Sequence, residues 1–133
     1  MASIPTESRD LFKKKKTFAH LATLLPDGAP HVVPVWVEYD ADADRLLVNT
    51  QRGRRKEKNV RQQSRVAISM TDPDNPYRML SVRGEVDDIT SEGAHEQVNR
   101  MAERYLGDGD YADPQTERVI ISIRPEQVSY SDS

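Results

Sequence analysis

The chain has 133 residues, with 19 Lys and Arg against 22 Asp and Glu for a net charge of −3. This suits a single domain over residues 1–133 and argues against a general polyanion binder. There is no cysteine, which excludes disulfides and thiolate metal sites. Apolar residues make up 36% of the chain, and no apolar run approaches the roughly 20 residues of a membrane span. A small domain with this balance often gains stability by pairing with a second copy.

A short helix is expected over residues 6–15, with Thr6 or Ser8 as cap and Leu11 and Phe12 facing the core. The lysines at 13–16 and the apolar residues to 25 imitate a signal peptide. However, His20 interrupts the stretch and no small-residue cleavage site follows, so a soluble, cytoplasmic protein without membrane insertion is expected. Residues 19–25 read as a strand closed by the turn Pro26-Asp27-Gly28, and residues 31–39 as its hairpin partner. Pro34 has no N–H to give a ladder, so that second strand belongs at an edge or carries a bulge. Residues 40–44 form a polar turn and residues 45–50 a third strand.

Residues 51–65 then carry seven cations (Arg52, Arg54, Arg55, Lys56, Lys58, Arg61, Arg65) and one anion, Glu57. The local charge is +6, which leaves −9 for the rest of the chain. The island follows a strand and runs into a helical stretch at residues 59–63. A strand-to-helix junction presents orphan N–H groups and the positive end of a helix dipole to an anion. A solvated charged face is the bland alternative. Nucleic acid is disfavoured, because the acidic remainder would repel a polyanion.

Residues 66–70 give a fourth strand, residues 71–76 a loop dense in turn formers, and residues 79–86 a fifth strand with Gly84 near its end. The clearest helix covers residues 92–105. Ala94, Val98, Met101, Ala102 and Tyr105 share one face, Thr90 or Ser91 caps the start, and Gly107 follows the end. After a polar loop at 107–114, residues 118–124 and 127–130 are strands split at Pro125. Strands joined by such short turns imply a mainly β, antiparallel fold, a small barrel. No metal-ligand spacing, calcium loop, GxGxxG or Walker motif is present, and no elbow-like nucleophile pairs with a histidine.

The order LATLLPDGAPHVVPVWVEYD, then RGRRKEKNVRQQSRVAIS, then DPDNPYRMLSVRGEV resembles the flavin and deazaflavin split-barrel proteins. These form the pyridoxamine 5'-phosphate oxidase-like superfamily, and the nearest likeness is to its coenzyme F420-dependent reductases. The resemblance rests on Arg54, Lys56 and Asn59 in an Arg-x-Lys-x-x-Asn loop, combined with NPYR-x-L-x-V-x-G over residues 75–84.

The resemblance implies a six-stranded Greek-key split barrel, homodimeric, with one long and one or two short helices. It implies a cofactor groove at the dimer interface, holding coenzyme F420 or, as the alternative, FMN. Thr50, Gln51, Arg54, Arg55 and Lys56 would hold the phosphate. Pro34, Val35 and Trp36 would seat the ring, and Tyr77 would border the same groove. Trp36 reads equally well as packing. Tyr77 and His31 are the candidate proton donors, and no catalytic residue is assigned. The expected activity is hydride transfer between the deazaflavin and a small organic substrate. The alternatives are an FMN-dependent oxidase or reductase and a non-catalytic flavin or deazaflavin carrier.

Overall fold

A computed structural model describes residues 2–132. A 3₁₀-helix, Thr6–Phe12, leads into β1 (Ala19–Leu24), β2 (Pro30–Val35), β3 (Glu38–Asp40) and β4 (Arg45–Gln51). Helix α1 (Arg55–Gln62), β5 (Arg65–Asp72), β6 (Asn75–Thr90), α2 (Ala94–Leu106) and β7 (Arg118–Ser131) complete the chain. The seven strands form one antiparallel sheet in the order β2-β1-β5-β6-β7-β4-β3. Among the described residues no helix is long and apolar enough to cross a membrane.

The strand expected over residues 31–39 is two strands, which is why the sheet has seven rather than six. β2 pairs with β1, and β3 pairs with β4, at opposite edges of the sheet. Only Trp36 and Val37 separate them, so the sheet must curl until its two edges meet. The break removes Val37 from both ladders, and a buried peptide cannot be left unpaired. Helix α2 supplies the partners. The Val37 N–H donates to the Tyr105 hydroxyl at 3.2 Å, and the Arg104 Nη1 donates to the Val37 carbonyl at 2.7 Å. The Tyr105 hydroxyl in turn donates to the Thr17 carbonyl at 2.5 Å, and Arg104 reaches the carbonyls of Leu11 and Lys15. The end of α2 therefore ties the curled edge to the segment that precedes β1. Pro34 lies on an edge strand, as its missing N–H requires.

Two other boundaries differ from the pattern-based expectation. β6 runs through residues 75–90, so the expected loop at 71–76 contracts to a turn at Pro73 and Asp74. β7 is continuous through Pro125, which sits opposite Gly84 where the register shifts. A Cβ on Gly84 would lie 2.3 Å from the Arg124 carbonyl oxygen. The glycine thus lets β7 cross close enough for a bulge to absorb the proline. The early helix is 3₁₀ and ends at Phe12, without a side-chain cap. α2 starts after Gly93 in the left-handed region rather than from a Thr90 or Ser91 cap, and Gly107 closes it as expected, with φ 78°.

Strand alternation sends Leu46, Val48, Leu21, Ile68, Leu80, Val82, Ile121 and Ile123 into one core. Each such side chain contributes about 1.5–3 kcal/mol by leaving water. Val98, Met101 and Ala102 of α2 are also buried, and Asn49 of β4 is hydrogen-bonded to the Ala94 carbonyl and the Gln97 side chain.

Tyr105→Phe keeps the ring and deletes the hydroxyl's hydrogen bonds, leaving the Val37 N–H and the Thr17 carbonyl without that partner. The expected loss is about 2–4 kcal/mol of unfolding free energy, read by chemical denaturation.

Candidate functional site

The basic island is sorted by its single anion. Glu57 is only 3% exposed. Its carboxylate accepts the Gly53 N–H at 2.9 Å, is bonded by Arg61 one turn on, and faces Arg52 at 3.8 Å. Gly53 holds φ 92°, a value glycine adopts without strain. Burial opposes ionisation of Glu57, but the Gly53 amide, Arg61 and Arg52 outweigh it and lower its pKa. The loop from β4 into α1 is thus folded around a buried charge. Arg52 and Arg61 are consumed in this task, and Arg52 also pairs with Glu117 at 2.7 Å.

The remaining cations are of a different kind. Among the described residues, Arg54, Arg55, Lys56, Lys58 and Arg65 have no carboxylate partner. Arg54 is the residue before the first turn of α1, with no side-chain cap, and its Nη2 lies 3.4 Å from Gln51 Oε1. Arg55 lies 3.4 Å from Asn59 Oδ1. Asn59 itself is fully buried and donates to the Thr23 hydroxyl at 2.9 Å, pinning α1 to β1. The Asn of the Arg-x-Lys-x-x-Asn element is therefore a structural tie.

Lys56 lines a cleft of about 230 Å³. Pro34, Val35 and Trp36 form part of the wall, with Phe18, Val98 and Met101 beside them. The strand break thus delivers the expected ring-seating residues and the expected lysine to one place. Trp36 stacks on Tyr105 at 5.1 Å and 6° between planes, and meets Tyr111 at 5.3 Å and 55°. It is fixed between two aromatic rings and is also part of the wall of the cleft. Burial lowers the Lys56 pKa from its ordinary value, and the positive charges of Arg54 and Arg118 lower it further.

Not every expected residue reaches the cleft: Arg54 and Arg55 are exposed and are not part of its lining. Thr50 falls on the buried face of β4 with Leu46 and Val48, opposite to Asn49. Gln51 stands beside Arg54 and pairs in register with Arg118. Tyr77 is 71% exposed on β6, and neither it nor His31 borders the cleft. Pattern reading missed Asn49, Tyr111 and Arg118, which do line it. Asn49 and Arg118 come from β4 and β7, strands far apart in sequence that only the sheet order joins. Tyr111 lies in the loop after α2, where nothing local marks it. A larger, mostly apolar groove of about 420 Å³ opens over β1, β5, β6 and β7, lined by Ala22, Val66, Gly84 and others. It contains none of the expected site residues, and of the island cations only Arg65 lines it among the described residues. Among the described residues no group of three His, Asp or Glu side chains could hold a metal ion.

The family model for pyridoxamine 5'-phosphate oxidase matches residues 4–132. The chain belongs to this family. A solved F420 reductase is 36% identical to it, over 95% of this chain and 98% of that one, with a TM-score of 0.80. A conserved hypothetical protein from Mycobacterium tuberculosis shares the fold at 24% identity, over 99% of this chain and 86% of that one, with a TM-score of 0.73. HupZ of Group A Streptococcus shares it at 20% identity, over 96% and 93%, with a TM-score of 0.71. No curated protein matches the chain.

In this member of the family the arginine of the NPYR element serves the fold. Arg78 bonds Asp10, Asp72, the Tyr130 hydroxyl and the Glu7 carbonyl. Lys15 adds ion pairs to Asp72 at 3.1 Å and Asp74 at 2.6 Å. The N-terminal segment is thus fastened to the β5–β6 turn. Burial works against the Asp72 carboxylate, but the Asp74 amide, Arg78 and Lys15 outweigh it and hold the pKa at about 2.

A pKa below the unfolded value stabilises the fold at pH above the unfolded pKa and ceases to do so as pH falls through the folded one. Asp72→Asn should therefore cost ~2 kcal/mol at pH 7. Its deficit against the parent should shrink as pH falls from the ordinary aspartate value of 3.8 toward about 2, as followed by urea unfolding across that range.

Proposed function

We propose that the chain binds coenzyme F420 in this cleft and is an oxidoreductase passing a hydride between the deazaflavin and a small organic substrate. In this reading it works as a homodimer of split barrels, with the cleft at the interface. The observation that carries the reading is the placement of Lys56. It joins the uncompensated cations at the start of α1 to the wall formed by Pro34, Val35 and Trp36. The 36% identity to a solved F420 reductase supports the same choice of cofactor.

The residues fit an anionic, ring-bearing ligand. Arg54 offers a planar fork for phosphate oxygens, and Lys56 a compact point charge. The first-turn N–H groups of α1 have no side-chain cap and add the positive end of the helix dipole. Gln51 steadies Arg54, and Arg55 stands one residue further on. Thr50 shapes the buried end of β4 from the other face. Trp36, locked by Tyr105 and Tyr111, gives a flat wall whose position does not depend on the ligand. Phe18, Val98 and Met101 keep water from that wall. When bound, the deazaflavin supplies the hydride chemistry, while the protein anchors, orients and dries the site.

Titration by fluorescence quenching separates the cofactors. Coenzyme F420 should bind more tightly than FMN. The double variant Arg54→Ala, Lys56→Ala should weaken it at least about tenfold, or ~1.4 kcal/mol. Tight FMN binding without F420 binding would transfer the site to the flavin. F420 binding with no turnover across a broad substrate panel would make the protein a carrier. Equal affinities for parent and double variant would remove the phosphate clamp.

A further inference from the structure

We propose that Arg118 is a second oxyanion-binding residue of the cleft, taking a carboxylate or phosphate oxygen of a bound organic ligand. The proposal deepens the reading above, since it concerns the same cleft, but its own support is geometric.

Arg118 lines the cleft at the first residue of β7. Among the described residues it has no ion pair, and its guanidinium makes one side-chain hydrogen bond, from Nη1 to Asn49 Oδ1 at 3.0 Å. The Nε–H is buried and has no acceptor. A buried donor left unpaired costs about 1–3 kcal/mol, more when it belongs to a charged group. Buried polar groups in native folds are nearly always paired, so an orphan of this kind marks an absent acceptor.

The geometry leaves a particular part of the guanidinium to supply that acceptor. Asn49 is not free to swing. Its amide donates to the Ala94 carbonyl at 2.8 Å and to Gln97 Oε1 at 2.9 Å, both on α2. With Nη1 engaged by this fixed amide, the edge formed by Nε and Nη2 remains. That edge presents two parallel N–H donors, the arrangement that matches the two oxygens of a carboxylate or phosphate. Among the described residues no carboxylate neutralises it, and Lys56 adds a second positive charge in the same cleft.

Tyr111 provides a reporter. Its ring lies 5.6 Å from the Arg118 guanidinium and 5.3 Å from Trp36, and its residue is 46% exposed. Asn99 Oδ1 accepts the amides of Tyr111 and of the next residue, Ala112. An oxyanion on the Arg118 guanidinium changes the charge beside this ring and its neighbour Trp36. Trp36, the one tryptophan of the chain, will register the change.

The oxyanion has two possible sources, the phosphate of the cofactor and a carboxylate of the substrate, and one experiment distinguishes them. Trp36 emission is followed while the parent protein, Arg118→Gln and Arg118→Lys are titrated separately with coenzyme F420, inorganic pyrophosphate and benzoate. Arg118→Gln should weaken at least one probe tenfold or more. Arg118→Lys should recover only part of the loss, because it keeps the charge and lacks the fork. A loss confined to F420 and pyrophosphate assigns the cofactor's phosphate, and a loss confined to benzoate assigns a substrate carboxylate. Arg118→Lys preserves the cation beside Asn49, so it tests the fork even if Arg118→Gln does not fold. Equal affinities in the parent and Arg118→Lys for every probe, or no response of the parent to any, overturn the proposal. A parent that binds pyrophosphate or benzoate through Arg118 but ignores F420 would defeat the cofactor reading and leave this one standing.

Discussion

The peptide of Val37 is the constraint on which the rest of the structure turns. It belongs to neither β2 nor β3, yet Val37 is fully buried. The Tyr105 hydroxyl and the Arg104 guanidinium meet its two polar groups. That clamp lets one stretch of chain leave the sheet at one edge and rejoin it at the other. It also sets where Trp36 stands, since the residue before Val37 is stacked on the same Tyr105 ring. Fold closure and the shape of the cleft wall therefore share one set of hydrogen bonds. Substitutions at the end of α2 should act on both together, although neither Arg104 nor Tyr105 lines the cleft.

A second organising charge, Glu57, sits in the loop between β4 and α1. Burying Glu57 would be unfavourable without partners. The Gly53 amide, Arg52 and Arg61 provide them and so fix the path from β4 into α1. The cost of assembling many like charges is then borne by an arrangement in which some cations neutralise the loop and others stay open. Arg54, Lys56 and Arg118 are of the second kind, and the lowered pKa of Lys56 records burial and their mutual repulsion. A cluster of this sort gains by receiving an anion. This electrostatic state, more than shape, separates the 230 Å³ cleft from the larger apolar groove over β1, β5, β6 and β7.

Much of this was legible in the sequence, and the limits are physical. Alternation, turn residues and the apolar stripe from Ala94 to Tyr105 located most elements, because those signals are local. The hairpin residues Pro34, Val35 and Trp36 and the loop residue Lys56, which the family's motifs group together, line one cleft. The split of the second strand was not legible, because the partners that permit it, Arg104 and Tyr105, lie some 70 residues away. Arg118 escaped for the same reason: its neighbours Asn49 and Gln51 come from β4 through sheet register. The motif alone could not give Arg78 a role, because its contacts with Asp10, Asp72 and Tyr130 are tertiary and structural. Charge count alone could not divide the basic island, because the division depends on which side chains reach Glu57.

The central claim is that the open cations and the Trp36 wall hold the two ends of one redox coenzyme. A crystal structure of the protein with coenzyme F420 tests it most directly. The account predicts a phosphate oxygen within about 3 Å of Lys56 Nζ and of the Arg54 guanidinium, with the ring system against Pro34, Val35 and Trp36. A coenzyme seated instead in the groove beside Ala22, Val66 and Gly84, making no contact with Arg54 or Lys56, would contradict it.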